Sequence, residues 1–270
     1  MKIVSQSVVK ANNDVFEGGV ERKNEDAIGF TDSKITVADG AGGVGILADL
    51  WAQEIVKKMP DAPFENSKDV CDWIETFWED FYNTNIDSLK NDHWKLSKFN
   101  TEGSFATFSA LWQISKKKYS YQSYGDTALF IYDSITETLR IQNDLESINS
   151  FSVNPHLLNW QTEDIDAVDF YEQTIELKNN ETLIIATDGI VMYIWGAYYA
   201  FKQKTEEVTE AKMKKITTHF KTNKIESFTT FINELKTSLT SNKTFRDYTK
   251  HCFSENELPN DDYTVAFIIN

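Results

Sequence analysis

Apolar and polar side chains alternate over residues 2–10, and residues 26–38 run apolar in strand fashion. Turn-forming Asn12-Asn13-Asp14 and Asp32-Ser33 break these stretches, so the pattern predicts an opening β meander. Beyond Gly45 the period changes to that of a helix. Leu47, Trp51, Ile55 and Met59 recur every fourth residue, and Val70, Trp73, Ile74, Phe77, Trp78 and Phe81 trace one face of a second amphipathic helix. An aromatic stripe at that spacing reads as core, not as a ligand platform.

Strand patterning returns at 104–114, 118–124, 128–133 and 138–142, separated by Lys-rich or Gly-Asp turns, which predicts antiparallel neighbours. After a loop-like stretch around Asn154-Pro155, strands at 170–177 and 182–187 flank Asn179-Asn180, a hairpin signal. Residues 190–203 and 206–240 read as helical, and 263–269 as an apolar closing strand. Strands, helices, strands, helices and a strand in that order make an α+β chain with two sheets covered by helices.

The 270 residues contain no linker, low-complexity run or repeat, so residues 1–270 are expected to form a single domain. A net charge of −15 disfavours a polyanion, and no nucleic-acid partner is expected. Met1-Lys2-Ile3-Val4-Ser5-Gln6-Ser7 patterns as a strand instead of an apolar signal core, and no run approaches a membrane span. The expectation is a cytoplasmic protein with no membrane partner; nothing in the sequence sets an oligomeric state. Cys71 and Cys252 fit no metal-ligand spacing and read as reduced structural thiols. His93, His156, His219 and His251 show no paired metal spacing either.

Candidate chemistry lies in three acidic motifs far apart in the chain: Val37-Ala38-Asp39-Gly40, Ala186-Thr187-Asp188-Gly189 and Asn260-Asp261-Asp262-Tyr263-Thr264. The first two follow apolar runs, so each Asp should emerge at a sheet edge beside a permissive Gly. Carboxylates gathered there repel one another without a cation, and hard ions such as Mg²⁺ or Mn²⁺ accept all-oxygen shells. Two such ions activate water for displacement at phosphorus. Asp-Gly is also an ordinary turn former, and Asn260-Asp261-Asp262 also fits a solvated loop in which Asp262 replaces Asp261 as ligand. Glu25 fits either a supporting group or an exposed turn carboxylate.

Taken in order, Asn24-Glu25-Asp26, Asp39-Gly40-Ala41-Gly42-Gly43, Gly103-Ser104, Gly125-Asp126-Thr127, Thr187-Asp188-Gly189 and Asp261-Asp262-Tyr263-Thr264 resemble the metal-dependent protein phosphatases of type 2C, in their bacterial form. The resemblance spans residues 24 to 264. It implies an α-β-β-α four-layer sandwich whose central pair of mainly antiparallel sheets holds two Mn²⁺ or Mg²⁺ ions at one end. Carried over residue by residue, Asp39 would bridge both ions, the Gly40 carbonyl would complete one shell, and Asp188 and Asp261 would bind the other ion. Asp26 would hold water bound to the ions, and Asp126 would share a third, weaker site with Asp188. The implied activity is hydrolysis of phosphoserine and phosphothreonine in a phosphorylated protein by a water bridging the two ions.

Three departures from the pattern stand out. The phosphate-gripping Arg of the family would fall at Glu21, with Arg22 one step later as the candidate clamp. Ala41 occupies a place where some relatives have a His. The interval from Asp188 to Asp261 is long, with 204–250 reading as a helical elaboration. Two other readings stay open: a catalytically weak or silent regulatory module on the same fold, and a phosphomonoesterase for a small metabolite.

Overall fold

The computed structural model describes residues 1–11, 23–143, 145, 147–152, 154–162, 165 and 170–269. Its strands are β1 (Lys2–Val8), β2 (Asp26–Phe30), β3 (Lys34–Gly40), β4 (Ala106–Ser115), β5 (Lys118–Tyr124), β6 (Ala128–Asp133), β7 (Thr138–Gln142), β8 (Tyr171–Glu176), β9 (Glu181–Ala186) and β10 (Tyr263–Ile269). The helices are α1 (Ala48–Lys58), α2 (Ser67–Glu75), α3 (Trp78–Asn85), α4 (His93–Thr101), α5 (Asp188–Phe201), α6 (Ala211–Thr222), α7 (Phe228–Ser238) and α8 (Asn242–Ser254).

One sheet runs β1-β10-β9-β6-β7 and the other β2-β3-β4-β5-β8, with antiparallel pairing throughout. Successive side chains of a strand point to opposite faces, so the near-continuous apolar runs of β3, β9 and β10 give the sheets two apolar faces. Ile35, Val37, Leu111, Tyr121, Leu183, Ile185 and Ile268 meet between the sheets. The opposite face of the second sheet packs on the α1–α4 layer through Trp51, Phe77, Phe99 and Phe108, and that of the first sheet on α5–α8 through Ile190, Ile194, Phe228 and Phe267. The result is the expected α+β, four-layer α-β-β-α sandwich. None of its helices is long and apolar enough to cross a membrane, among the described residues.

Three pairing expectations are corrected. β1 pairs with β10 and not with β2, so the chain does not open as a meander. The strands of 104–142 split into β4–β5 in one sheet and β6–β7 in the other. β8 pairs with β5 while β9 lies between β10 and β6, so the Asn179-Asn180 turn passes the chain from sheet to sheet and makes no hairpin. The reason is common to all three. Alternation fixes which face of a strand is buried, and two stacked sheets offer the same buried environment to a neighbour above or beside.

Helix boundaries follow local caps. The stripe at 70–81 is cut after Glu75 into α2 and α3, and 206–240 is cut where the Ser227 side chain caps α7 by accepting the Thr230 N–H at 3.2 Å. Ser241 caps α8 in the same way, so the helical layer continues to Ser254. Helix α4 escapes the periodicity because Phe99 is its only buried side chain; the Asp92 cap, accepting Lys95 N–H at 3.0 Å, defines its start.

Candidate metal centre

Along β3, Ile35 and Val37 point between the sheets, and Asp39 is the next residue on that face. Its ladder partners are Asp26 on β2 and Thr107 on β4. The strand ends at Gly40, whose N–H donates to the Glu25 carbonyl at 3.0 Å. A Cβ on Gly40 would lie 2.6 Å from Ala48 O and 2.7 Å from Glu25 O, so no other residue fits this approach of three backbones. In the opposite sheet β9 ends at Ala186 and Asp188 opens α5, where the helix N-terminus favours a carboxylate. Asp261 lies two residues before the first residue of β10. Asp126 sits in the β5–β6 turn behind Gly125, whose φ of +97° and 2.4 Å approach of a would-be Cβ to Thr107 Cγ2 require glycine.

The carboxylates of Asp39, Asp188, Asp126 and Asp261 keep some exposed surface, whereas Asp26 and Asp262 are buried. Burial first, then the charges of Asp26, Asp188, Asp126 and Asp261, hold the Asp39 carboxyl well above the ordinary carboxylate range. Asp188 is likewise raised by burial and then by Asp261, Asp126 and Asp26, while a hydrogen bond with Asp39 opposes the rise. Asp26 is raised by burial and by Asp262, and the Thr187 hydroxyl, donating to its Oδ2 at 2.7 Å, works the other way. Asp261 is raised less. Burial lifts it, and the Lys10 ammonium and the Asp262 N–H counter that.

These residues fit a hard divalent cation in three respects. The donors are all oxygen, their mutual repulsion is what a cation relieves, and Asp188 Oδ1 is buried with no hydrogen-bond partner. Against this, no three His, Cys, Asp or Glu side chains among the described residues stand grouped so as to hold an ion as placed. The donor chemistry therefore fits, and the ligand set remains a proposal. Arg22 and Glu21 lie outside the described residues.

No family model matches the chain, and no curated protein does. Solved structures do. A bacterial serine phosphatase carrying a point substitution aligns with 99% of this chain and 96% of its own, at a TM-score of 0.52 and 11% identity. Serine/threonine phosphatase Stp1 from Staphylococcus aureus aligns over 100% and 96%, at 0.50 and 12%. The catalytic domain of serine threonine protein phosphatase PstP, in complex with two manganese ions, aligns over 98% and 96%, at 0.50 and 11%. The fold is that of the type 2C phosphatases.

Within this fold, five residues knit the aspartate end together: Ser7, Asn24, Thr187, Asp262 and Thr264. Thr187 does not cap α5. Its hydroxyl donates to Asp26 across the sheets and accepts the Thr264 N–H at 3.1 Å. Asn24 Nδ2 donates to Ser7 Oγ at 2.7 Å, and Ser7 Oγ shares a 2.6 Å hydrogen bond with Thr264 Oγ1. Asp262 accepts two backbone N–H groups. Strand alternation carried the signal for three of them: Ser7, Thr187 and Thr264 fall on the face that Ile3, Ile185 and Ile268 place between the sheets. The choice between Asp261 and Asp262 also narrows, because Asp262 has both oxygens engaged and is 2% exposed.

Proposed function

We propose that the chain is a metal-dependent phosphatase that hydrolyses phosphoserine and phosphothreonine in proteins. Two Mn²⁺ or Mg²⁺ ions would be held by Asp39, the Gly40 carbonyl, Asp188 and Asp261, and a third, weaker site would be shared by Asp126 and Asp188. One observation carries this reading: Asp126, Asp188 and Asp261, from three separate parts of the chain, come close enough to Asp39 at one end of the sandwich for each to raise its pKa, and an oxygen of Asp188 is left unpartnered. The fold shared with a phosphatase that holds two manganese ions supports it.

Bound ions would activate a water for attack on phosphorus and neutralise charge on the phosphoryl oxygens. The protein's part is orientation. Asp26, fixed by the Thr187 hydroxyl at 2.7 Å, would accept a hydrogen bond from the attacking water and hold it in line. Arg22 would grip the phosphoryl oxygens. Ala41 offers no acid, so solvent would protonate the leaving group. A thiolate nucleophile is disfavoured, because Cys71 and Cys252 are buried and burial pushes the Cys252 thiol up to about 12. A cytoplasmic location belongs to the same proposal.

A catalytically silent module is the second reading. It draws on the absence of a three-ligand group among the described residues. One experiment separates the readings: chelator-treated protein is assayed with Mn²⁺, Mg²⁺ or Zn²⁺ on an aryl phosphate and on a phosphoserine/phosphothreonine peptide panel. Turnover restored by Mn²⁺ or Mg²⁺ on both substrates supports the protein phosphatase. Turnover on the aryl phosphate alone points to a small-molecule phosphomonoesterase, and none on either to the silent module.

A further inference from the structure

We infer that Asp262 is a positioning residue that locks both ends of the β1–β2 connection against the aspartate cluster; its effect on turnover rests on the phosphatase reading, and its structural role does not. Oδ1 accepts the Lys10 N–H at 2.7 Å and Oδ2 accepts the Glu25 N–H at 2.7 Å. Lys10 follows β1 in one sheet and Glu25 precedes β2 in the other, so a single carboxylate ties the two sheets where the metal-side aspartates meet.

The link continues in both directions. The Glu25 carbonyl accepts the Gly40 N–H at 3.0 Å, and Glu25 is joined directly to Asp26. On the other side, the Asp262 N–H donates to Asp261 Oδ1 at 2.9 Å. The first turn of α5 packs on the same peptide: a Cβ on Gly189 would lie 3.1 Å from the Asp262 carbonyl oxygen and 3.3 Å from Asp261 Cβ. A displacement at position 262 therefore reaches Asp26, Gly40, Asp261 and the helix that begins with Asp188.

A buried carboxylate beside Asp26 and Asp261 adds repulsion to a site that already has a surplus of it. An asparagine would remove that charge. It has only one acceptor oxygen, however, and would turn an NH₂ toward one of the two part-buried N–H groups. Two charge-assisted acceptors are the gain that offsets the repulsion. Because both oxygens are engaged, Asp262 has none to spare for an ion.

The test uses the full chain. Amide exchange at Lys10 and Glu25 is followed by NMR without metal, Mn²⁺ binding by calorimetry, and aryl phosphate kinetics with Mn²⁺. In the unsubstituted protein both amides should be protected. In Asp262→Asn at least one should exchange about tenfold faster, the loss of one part-buried hydrogen bond. Mn²⁺ affinity should fall less than in Asp261→Asn, and kcat should fall more than KM rises as Glu25 shifts and carries Asp26 with it. Asp261→Asn should do the reverse, weakening Mn²⁺ binding with both amides still protected. Asp262→Asn that weakens Mn²⁺ binding as much as Asp261→Asn does, with protection intact, makes Asp262 a ligand and overturns the inference. Unprotected amides in the unsubstituted protein overturn it too, even where Asp262→Asn fails to fold. An unsubstituted protein with protected amides and no turnover sinks the phosphatase reading and keeps the clamp.

Discussion

Ile35, Leu111, Leu183 and Ile268 line one half of the space between the sheets, while Asp39, Thr107, Thr187 and Thr264 line the other. Each residue of the second set lies four positions from its counterpart along β3, β4, β9 or β10, about 13 Å along an extended strand. Parity is the same, so both sets share one face; only the chemistry changes. The apolar half gains stability from burial. The polar half gives some of it back by desolvating carboxylates and leaving polar atoms such as Thr107 Oγ1 and Asp188 Oδ1 without partners. Sites that need mutually repelling groups are held by neighbours that need nothing but packing.

Substitutions that treat the two halves alike should have opposite consequences. Asp39→Asn should lower kcat on the order of a thousandfold, because Asp39 is the ligand expected to touch both ions, while raising the melting temperature of the metal-free protein. Full turnover in that variant would remove the functional half of the contrast. Leu183→Ala should cost about 3 kcal/mol in urea unfolding and leave Mn²⁺ affinity unchanged, since its side chain is sealed between the sheets and far from any donor. Thr187→Val joins the halves. It leaves Asp26 without its 2.7 Å donor and should cost about 1–2 kcal/mol with a matching fall in kcat, both recovered in Thr187→Ser.

The mildest effect concerns pH. Asp26, Asp39 and Asp188 have folded-state pKa values above their unfolded ones, so the native cluster takes up protons at a higher pH than the unfolded chain. Metal-free protein should therefore gain stability as pH falls through those raised values, down to the unfolded carboxylate range near about 4. Thermal melts in chelator should show a rise of a few degrees toward acid, and saturating Mn²⁺ should flatten or invert it. A metal-free melting temperature that only falls on acidification would mean the carboxylates do not repel one another in the native state.

Much of this contrast was legible in the sequence. The strands of β3 and β9 could be read because Ile35-Thr36-Val37-Ala38 and Leu183-Ile184-Ile185-Ala186 are continuous apolar runs, and each delivered its Asp to a strand end. Pairing could not be read. Nothing local in Lys2–Val8 says that its partner is Tyr263–Ile269, and Asn179-Asn180 looks the same whether it turns within a sheet or between two. Helix α4 was hidden by having one buried side chain. At the site, motif reading favoured residues that bind ions: it gave Thr187 no role and weighed Asp262 only as an alternative ligand, because the partners of both lie far away in sequence.

The pairing of β1 with β10 bears on how the molecule comes into being. Lys2 lies opposite Ile269 and Val8 opposite Tyr263, so the first sheet cannot close until the chain has been synthesised as far as Ile269. Contacts that close so long a loop are slow to form, and an intermediate lacking β10 would expose the flanks of β1 and β9 as unpaired edges. Asp261 and Asp262 arrive with that same strand. A nascent chain therefore carries Asp39 and Asp188 long before it can complete the site, and an ion that binds only the finished cluster would act as a latch on the last step of folding.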